Sequence, residues 1–273
     1  TGLIGERLPM DLLLPGFEIA FANLSDHGGM EAAHAIMTTD TQSKTATVTT
    51  DGFTVGGMAK GSGMLAPGLA TMLCTITTDA DADAQTLQHV VEVACRETFD
   101  RIDSDGCMST NDTVLLLASG ASECQPTQAA LQAAVTSVCQ QLSRALIADA
   151  EGASKDIEIT VQGAATTADA LEVARAVSRS NLLKCAIHGE DPNWGRVISA
   201  AGTTSAEFSA DEIAVAINDV WVCRDGSVGD DRNLVDMSAR EVFIVVDLKA
   251  GTEQASLWTN DLTAAYVHEN SAY

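Results

Sequence analysis

Lys60-Gly61-Ser62-Gly63-Met64-Leu65-Ala66-Pro67-Gly68-Leu69-Ala70-Thr71-Met72-Leu73 is the stretch from which the rest of the chain is best approached. A lone Lys leads into a glycine-rich turn, and Thr71 follows among small and apolar residues. No charged residue lies between Lys60 and Asp79. On pattern alone this is a strand ending in a glycine turn, followed by a core helix that starts near Pro67 and keeps Thr71 inert. The other reading makes Thr71 a nucleophile, and a Thr hydroxyl is weak without a base. No Ser/His/Asp arrangement stands beside it in the sequence. A Thr at a chain terminus carries its own base, the α-amine, but here that would require cutting the Ala70–Thr71 bond. The glycines lack both the GxGxxG continuation and a GK[ST] ending, which argues against a phosphate loop.

Outward from this stretch, Thr45–Thr50 and Phe53–Met58 flank Asp51-Gly52, a two-residue hairpin signal. Apolar residues near a 3.6 period predict helices over Gln85–Ile102, Gln128–Ala150 and Thr167–Ser178. Strands are predicted at Val114–Ala118, Asp156–Gln162, Asp211–Val222, Glu241–Leu248 and Gln254–Thr259. Gly226–Asn233 reads as an exposed loop. Helices and strands mix without a strict βαβ rhythm, which predicts an α+β or layered α/β fold over a doubly wound one.

Composition bounds the partners. The 273 residues are 46% hydrophobic and only 4% aromatic, so the core must be built from Ala, Val, Leu, Ile and Met. A formal charge of −23 argues against nucleic acid and anionic membranes, which would repel the chain. No apolar run reaches the roughly 18–20 residues of a membrane helix. Seven scattered cysteines without a CxxC pair argue against zinc and for free thiols in a reducing compartment, the cytoplasm.

Four further constellations carry polar chemistry. His188-Gly189-Glu190-Asp191-Pro192-Asn193-Trp194-Gly195-Arg196 is either a solvated turn or a binding loop. Ser109-Thr110-Asn111-Asp112-Thr113, before an apolar strand, reads first as a cap. Thr38-Thr39-Asp40-Thr41 could hold an amino acid's polar groups or simply end an element. The tail Tyr266–Tyr273, with Asn270, has the look of a fraying terminus. The histidines have no sequence partners and are taken as structural.

Together these segments resemble the ornithine acetyltransferase (glutamate N-acetyltransferase) family, in detail an actinobacterial member. The resemblance rests on Thr1–Gly5 with Leu8–Asp11, Ala35–Thr41, Gly56–Leu73, Ser109–Thr113, Asp191–Arg196 and Tyr266–Tyr273, in family order across the chain. It implies a layered α/β/β/α sandwich and a precursor that cuts itself between Ala70 and Thr71. Residues 1–70 would then belong to an α chain and 71–273 form the β chain, assembled as a heterotetramer of two α and two β. The implied reaction is ping-pong: Thr71 takes the acetyl group from N-acetylornithine and passes it to glutamate. Some members also accept acetyl-CoA as a substrate; no cofactor and no metal are implied.

The family's oxyanion hole falls on Thr1 (side chain) and Gly2 (backbone N–H), and such donors are typically worth about 2.7–4 kcal/mol each. Its substrate-binding positions fall on Thr38, Lys60, Thr71, Glu190 and Asn270. Charge complementarity gives Lys60 a substrate carboxylate and Glu190 an amino group. Members carry a longer segment before the position of Thr1 and commonly one more Ser or Thr after the final Tyr. Gly68-Leu69 stands where Asn-Met is frequent, while Ala70-Thr71-Met72-Leu73 is intact. The alternatives are an amide hydrolase of the same N-terminal-nucleophile type, in which water deacylates Thr71, and a silent binding protein that stays uncut.

Overall fold

The computed structural model describes residues 5–66, 72–109 and 111–271. Two sheets carry the chain, each with its own helices and its own apolar core. The first core draws on residues from Ala46 to Ala150 and the second on residues from Ile157 to Leu257.

The first sheet has the order β1-β2-β3-β4. Strands β1 (Lys44–Thr49) and β2 (Thr54–Lys60) form the expected hairpin, with Gly52 at φ 101° in the turn and Thr50 N–H donating to Phe53 O at 3.0 Å. Strand β3 (Leu73–Thr78) lies antiparallel to β2, with Lys60 opposite Leu73, and parallel to β4 (Thr113–Ala118). The helix expected from Pro67 onward is therefore corrected: from Leu73 the chain is extended. The run Thr75-Ile76-Thr77-Thr78 is β-branched throughout, and Cys74, Ile76 and Thr78 alternate inward, which suits a strand better than a helix.

Helices α3 (Ala84–Glu97) and α4 (Gln128–Ala148) cover this sheet and bury Val90, Val135, Val138, Leu142 and Leu146. Asp83 and Thr127 cap them by accepting from Thr86 N–H at 2.7 Å and Ala130 N–H at 3.2 Å, each worth about 1 kcal/mol. The first of these helices was expected to reach Ile102. It stops at Thr98, whose hydroxyl donates to Ala94 O at 2.6 Å and competes with the helical ladder.

The second sheet runs β10-β5-β9-β6-β7-β8. Strands β5 (Asp156–Ala164) and β9 (Glu241–Asp247) are parallel neighbours, and Ile157, Ile159, Val161, Val242, Ile244 and Val246 point into the core. The single strand expected at Asp211–Val222 is two: β6 (Ala214–Ile217) and β7 (Val220–Arg224). Asn218 and Asp219 both take positive φ, 45° and 66°, which makes the two-residue turn of a hairpin. Short β8 (Ser227–Val228) and β10 (Glu253–Asn260) complete the sheet; α5 (Thr167–Ser178) and α7 (Trp194–Ala201) pack on it, and α6 (Asn181–His188) packs against those two helices and adds Leu183 and Ile187 to the same core.

The remaining helices are α1 (Met10–Ala22), α2 (Gly29–Ala35) and α8 (Ala264–Ser271). Helix α1 buries none of its residues. Helix α8 sits against the α4–β5 connection, where Gly152 (φ 62°) has no room for a side chain: a Cβ there would lie 2.2 Å from Tyr266 N. No helix among the described residues is long and apolar enough to cross a membrane.

Candidate active site

Lys60 closes β2 and is buried to 1% exposure. The turn after it is anchored by a buried charge cluster. Gly61 N–H donates to Asp40 Oδ1 at 2.7 Å, and Lys44 Nζ donates to the same oxygen at 2.6 Å. Lys44 also reaches Asp149 Oδ2, at the C-terminus of α4, at 2.6 Å. Asp149 in turn accepts from the Thr41 N–H at 3.0 Å and from its hydroxyl. Asp40 Oδ2 takes the Thr38 N–H at 3.0 Å. One buried ammonium thus ties the Thr38–Thr41 loop, the glycine turn and the end of α4 together. Asp40, read from sequence only as part of a polar cluster, is the pivot, and Thr38 is left exposed beside it.

Burial pushes the Asp40 carboxyl up, but hydrogen bonds from Gly61, Lys44 and Thr38 outweigh it and hold the group below its ordinary 3.8. A depressed carboxylate stabilises the fold above its unfolded pKa and loses that contribution as pH falls through the folded value. The stability gap between wild type and Asp40→Asn should therefore be full at neutral pH and shrink below pH 3.8 in a series of thermal melts. A gap that stays constant into acid would contradict the assignment.

The residue after Thr71 is held from another strand. Met72 N–H donates to Asp112 Oδ1 at 2.8 Å, and Thr113 N–H donates to Met72 O at 3.1 Å. Asp112 Oδ2 is buried with no hydrogen-bond partner among the described residues. Burial raises this carboxyl, and the Met72 N–H and the Lys60 charge only partly offset it. The Ser109–Thr113 segment is thus more than a cap. Its capping bond exists, Asn111 N–H to Ser109 Oγ at 3.3 Å, but Asp112 grips the chain beside the proposed nucleophile. Thr1, Gly2, Ala70 and Thr71 themselves lie outside the described residues.

Asn270 and Glu190 fall in two clusters. Asn270 Nδ2 donates to Glu151 Oε2 at 3.0 Å, while Glu151 Oε1 accepts from the Thr39 hydroxyl at 3.0 Å. Glu151 N–H donates to Ser62 O at 2.8 Å. The Thr38 loop, the turn after Lys60 and Asn270 therefore meet around Glu151. Glu190, at φ 54° in the loop after α6, instead accepts from Lys155 Nζ at 3.0 Å, further along the α4–β5 connection. Asp191 of that loop and Arg196 of α7 are pins, bonded to Arg232 and to Leu182 O, and Trp194 packs on the second core as the first residue of α7.

His188, expected to be without partners, has two: Asp261 Oδ2 at 2.9 Å and Ser154 Oγ at 3.2 Å, both on Nδ1. A catalytic relay needs the serine on one ring nitrogen and the carboxylate on the other. Here both crowd one nitrogen and Ser154 bonds Asp261 directly, so the trio is a structural knot. Burial raises Asp261, and donors from Ser154, Lys155 and His188 pull it below its ordinary value.

A cavity of about 320 Å³ is lined by Glu151 and Tyr266 together with Asp261, Lys184, Asp105 and Ser104. Its size suits a small ligand such as an amino acid. Lys184 is pushed down by burial against the pull of Asp103, Asp105 and Asp261, and Tyr266 is raised to about 12, mainly by burial. Lys44, Asp112, Glu151 and Asp261 were not singled out as site residues from the sequence. One signal was available: Asp149 and Glu151 crowd two acids at a helix C-terminus, where the dipole disfavours them.

Comparison with known proteins agrees along the whole chain. A family model described as the ArgJ family matches residues 1–273. The arginine biosynthesis bifunctional protein ArgJ of Streptomyces avermitilis is 68% identical over 273 residues, all of this chain and 71% of that protein. The protein of the same name from Thermobifida fusca is 59% identical over 273 residues, again all of this chain and 71% of the relative. A crystal structure of arginine biosynthesis bifunctional protein ArgJ from Bacillus halodurans superposes with a TM-score of 0.68 at 36% identity. That match covers 73% of this chain and 97% of the other.

Proposed function

The chain belongs to the ArgJ family, and on that premise we propose that it transfers the acetyl group of N-acetylornithine to glutamate in arginine biosynthesis. The observation that carries the proposal is the setting of Met72. Strand register sets Leu73 opposite buried Lys60, and Asp112 holds the Met72 N–H, so Met72, the residue after Thr71 in sequence, lies at the Lys60 end of the sheet.

Thr71 is the nucleophile, freed by self-cleavage after Ala70, so that residues 1–70 and 71–273 become two associated chains in a layered α/β/β/α fold. Its α-amine, near neutral pKa, accepts the hydroxyl proton as the oxygen attacks the acetyl carbonyl. The tetrahedral oxygen is held by the Thr1 side chain and the Gly2 N–H until the C–N bond breaks and ornithine leaves with the proton. The glutamate amine then attacks the acetyl-Thr71 ester, and N-acetylglutamate departs as the hydroxyl is restored. Lys60 takes the substrate carboxylate, with Thr38 and Asn270 beside it, and Glu190 takes the amino end.

The names of the relatives call them bifunctional. In this chain acetyl-CoA as a second donor would be the matching activity, with no bound cofactor assigned. Assembly from two α and two β chains in the cytoplasm completes the proposal. Intact mass spectrometry tests it together with an ornithine-release assay. The expected result is a fragment beginning at Thr71 and ornithine release that depends on glutamate. A single full-length mass, or release of free acetate without glutamate, would overturn it.

A further inference from the structure

We propose that Asp112 is the general base of self-cleavage, taking the proton of the Thr71 hydroxyl in the uncut chain; this rests on the self-cleaving acetyltransferase reading above. Once the chain is cut, the Thr71 α-amine can accept that proton. Before the cut the same nitrogen belongs to the Ala70–Thr71 peptide bond, where resonance removes its basicity. Another group has to serve in the precursor, and it has to stand beside Thr71.

The carboxyl of Asp112 meets both conditions. Its Oδ1 takes the Met72 N–H at 2.8 Å, and the Thr71 hydroxyl belongs to the residue bonded to that nitrogen. Its Oδ2 is the one carboxylate oxygen buried without a hydrogen-bond partner among the described residues. Neighbouring carboxylates are engaged. Asp40 accepts from Thr38, Lys44 and Gly61, and Asp105 accepts from the Met64 and Cys107 N–H groups. Burial raises the Asp112 carboxyl, which makes it a stronger base, while the Met72 N–H and the Lys60 charge favour its ionised form.

The connection that carries Asp112 also grips the chain ahead of the cleavage point. Asp105 Oδ2 takes the Met64 N–H at 2.8 Å, with Met64 at a left-handed φ of 50°, and Ser104 N–H donates to Leu65 O at 2.6 Å. Leu65 and Ala66 are buried. Residues before β4 thus hold the chain on both sides of Ala70–Thr71, at Met64 and Leu65 and again at Met72. Proton transfer to a fixed base requires such anchoring, because it tolerates little misplacement.

In the proposed step the Thr71 oxygen attacks the Ala70 carbonyl carbon as Asp112 takes its proton. The C–N bond then breaks, Asp112 returns the proton to the departing nitrogen, and Ala70 remains as an ester on the Thr71 oxygen. Water hydrolyses the ester: its oxygen joins the Ala70 carboxylate, one hydrogen restores the hydroxyl and the other proton passes to the freed amine. From then on that amine is the base for acetyl transfer.

The test follows the fragment beginning at Thr71 over time, on denaturing gels and by intact mass, after cell-free synthesis of the chain. Asp112→Asn keeps the shape and an acceptor for the Met72 N–H but is no base. It should be cut at least about a hundredfold more slowly than wild type, while melting like the uncut Thr71→Ala chain. Asp112→Ala should be slowed as much and recover about tenfold on adding formate, with sodium chloride of equal ionic strength as the control. Asp112→Asn cut at the wild-type rate would overturn the proposal, as would a folded Asp112→Ala that does not respond to formate. Where one variant fails to fold, the other decides. A wild-type chain that is cut but transfers no acetyl group would count against the acetyltransferase reading alone; one that is never cut would overturn both.

Discussion

Thr71→Ala should yield one uncut polypeptide with no glutamate-dependent release of ornithine. On the proposed mechanism the substitution removes the hydroxyl that attacks in both events, so processing and turnover should fail together. Loss of a covalent nucleophile typically costs roughly 10⁴-fold or more in kcat. Thr71→Ser, which keeps a hydroxyl, should still be cut and should keep measurable turnover. A denaturing gel and an ornithine assay read both outcomes. The Asp112–Met72 bond is retained in either variant, so loss of activity in Thr71→Ala with a normal melting curve locates the effect in the chemistry. A Thr71→Ala protein that is cut, or that turns over near the wild-type rate, would refute Thr71 as nucleophile.

Lys44→Met is expected to be the most destabilising single change in the buried charge cluster, by about 3–5 kcal/mol. Lys44 is 2% exposed, and its ammonium stands between the carboxylates of Asp40 and Asp149. Methionine fills similar space but leaves two buried anions facing each other without a cation. Desolvation is then uncompensated, which is far costlier than the loss of a surface pair. The measurement is the urea midpoint at constant slope, so that the shift is one of stability and not of denatured-state compactness. A loss under about 1 kcal/mol would mean that the cluster is not held by Lys44. Because Asp40 also anchors the Gly61 N–H, the folded fraction should bind substrate more weakly as well.

Local rules read much of the fold. The Asp51-Gly52 turn, the alternating Ile157-Ile159-Val161 strand and the long apolar stripe of α4 need no distant information, and each lies where its pattern puts it. The errors share a cause. The apolar runs Ala214–Ile217 and Val220–Val222 lie close enough to read as one strand and hide the Asn218-Asp219 turn, a weaker signal than a pair ending in glycine. From Leu73 onward the pattern reads as the continuation of a core helix, and only pairing with β2 and β4 makes it a strand. At the site, Thr38, Lys60, Glu190 and Asn270 came from the family resemblance. For Glu151 the crowding with Asp149 is a hint in the sequence, but what it, Lys44, Asp112 and Asp261 serve shows only on folding, because those groups lie on other elements, most of them distant in the chain.

The order of the first sheet has a consequence if the chain is cut as proposed. Strands β1 and β2 precede Ala70, while β3 and β4 follow it, and β2 and β3 pair directly from Val55 opposite Thr78 to Lys60 opposite Leu73. A break at Ala70–Thr71 leaves every ladder bond in place yet turns the seam between β2 and β3 into a junction of two separate polypeptides. Uncut, the sheet reforms after denaturation in a first-order step whatever the dilution. Once cut, reassembly becomes second order in protein, slower the more dilute the sample, and the orphaned β3 edge is open to wrong pairing meanwhile. The mature protein would then persist because it comes apart slowly, with maturation acting as a one-way ratchet.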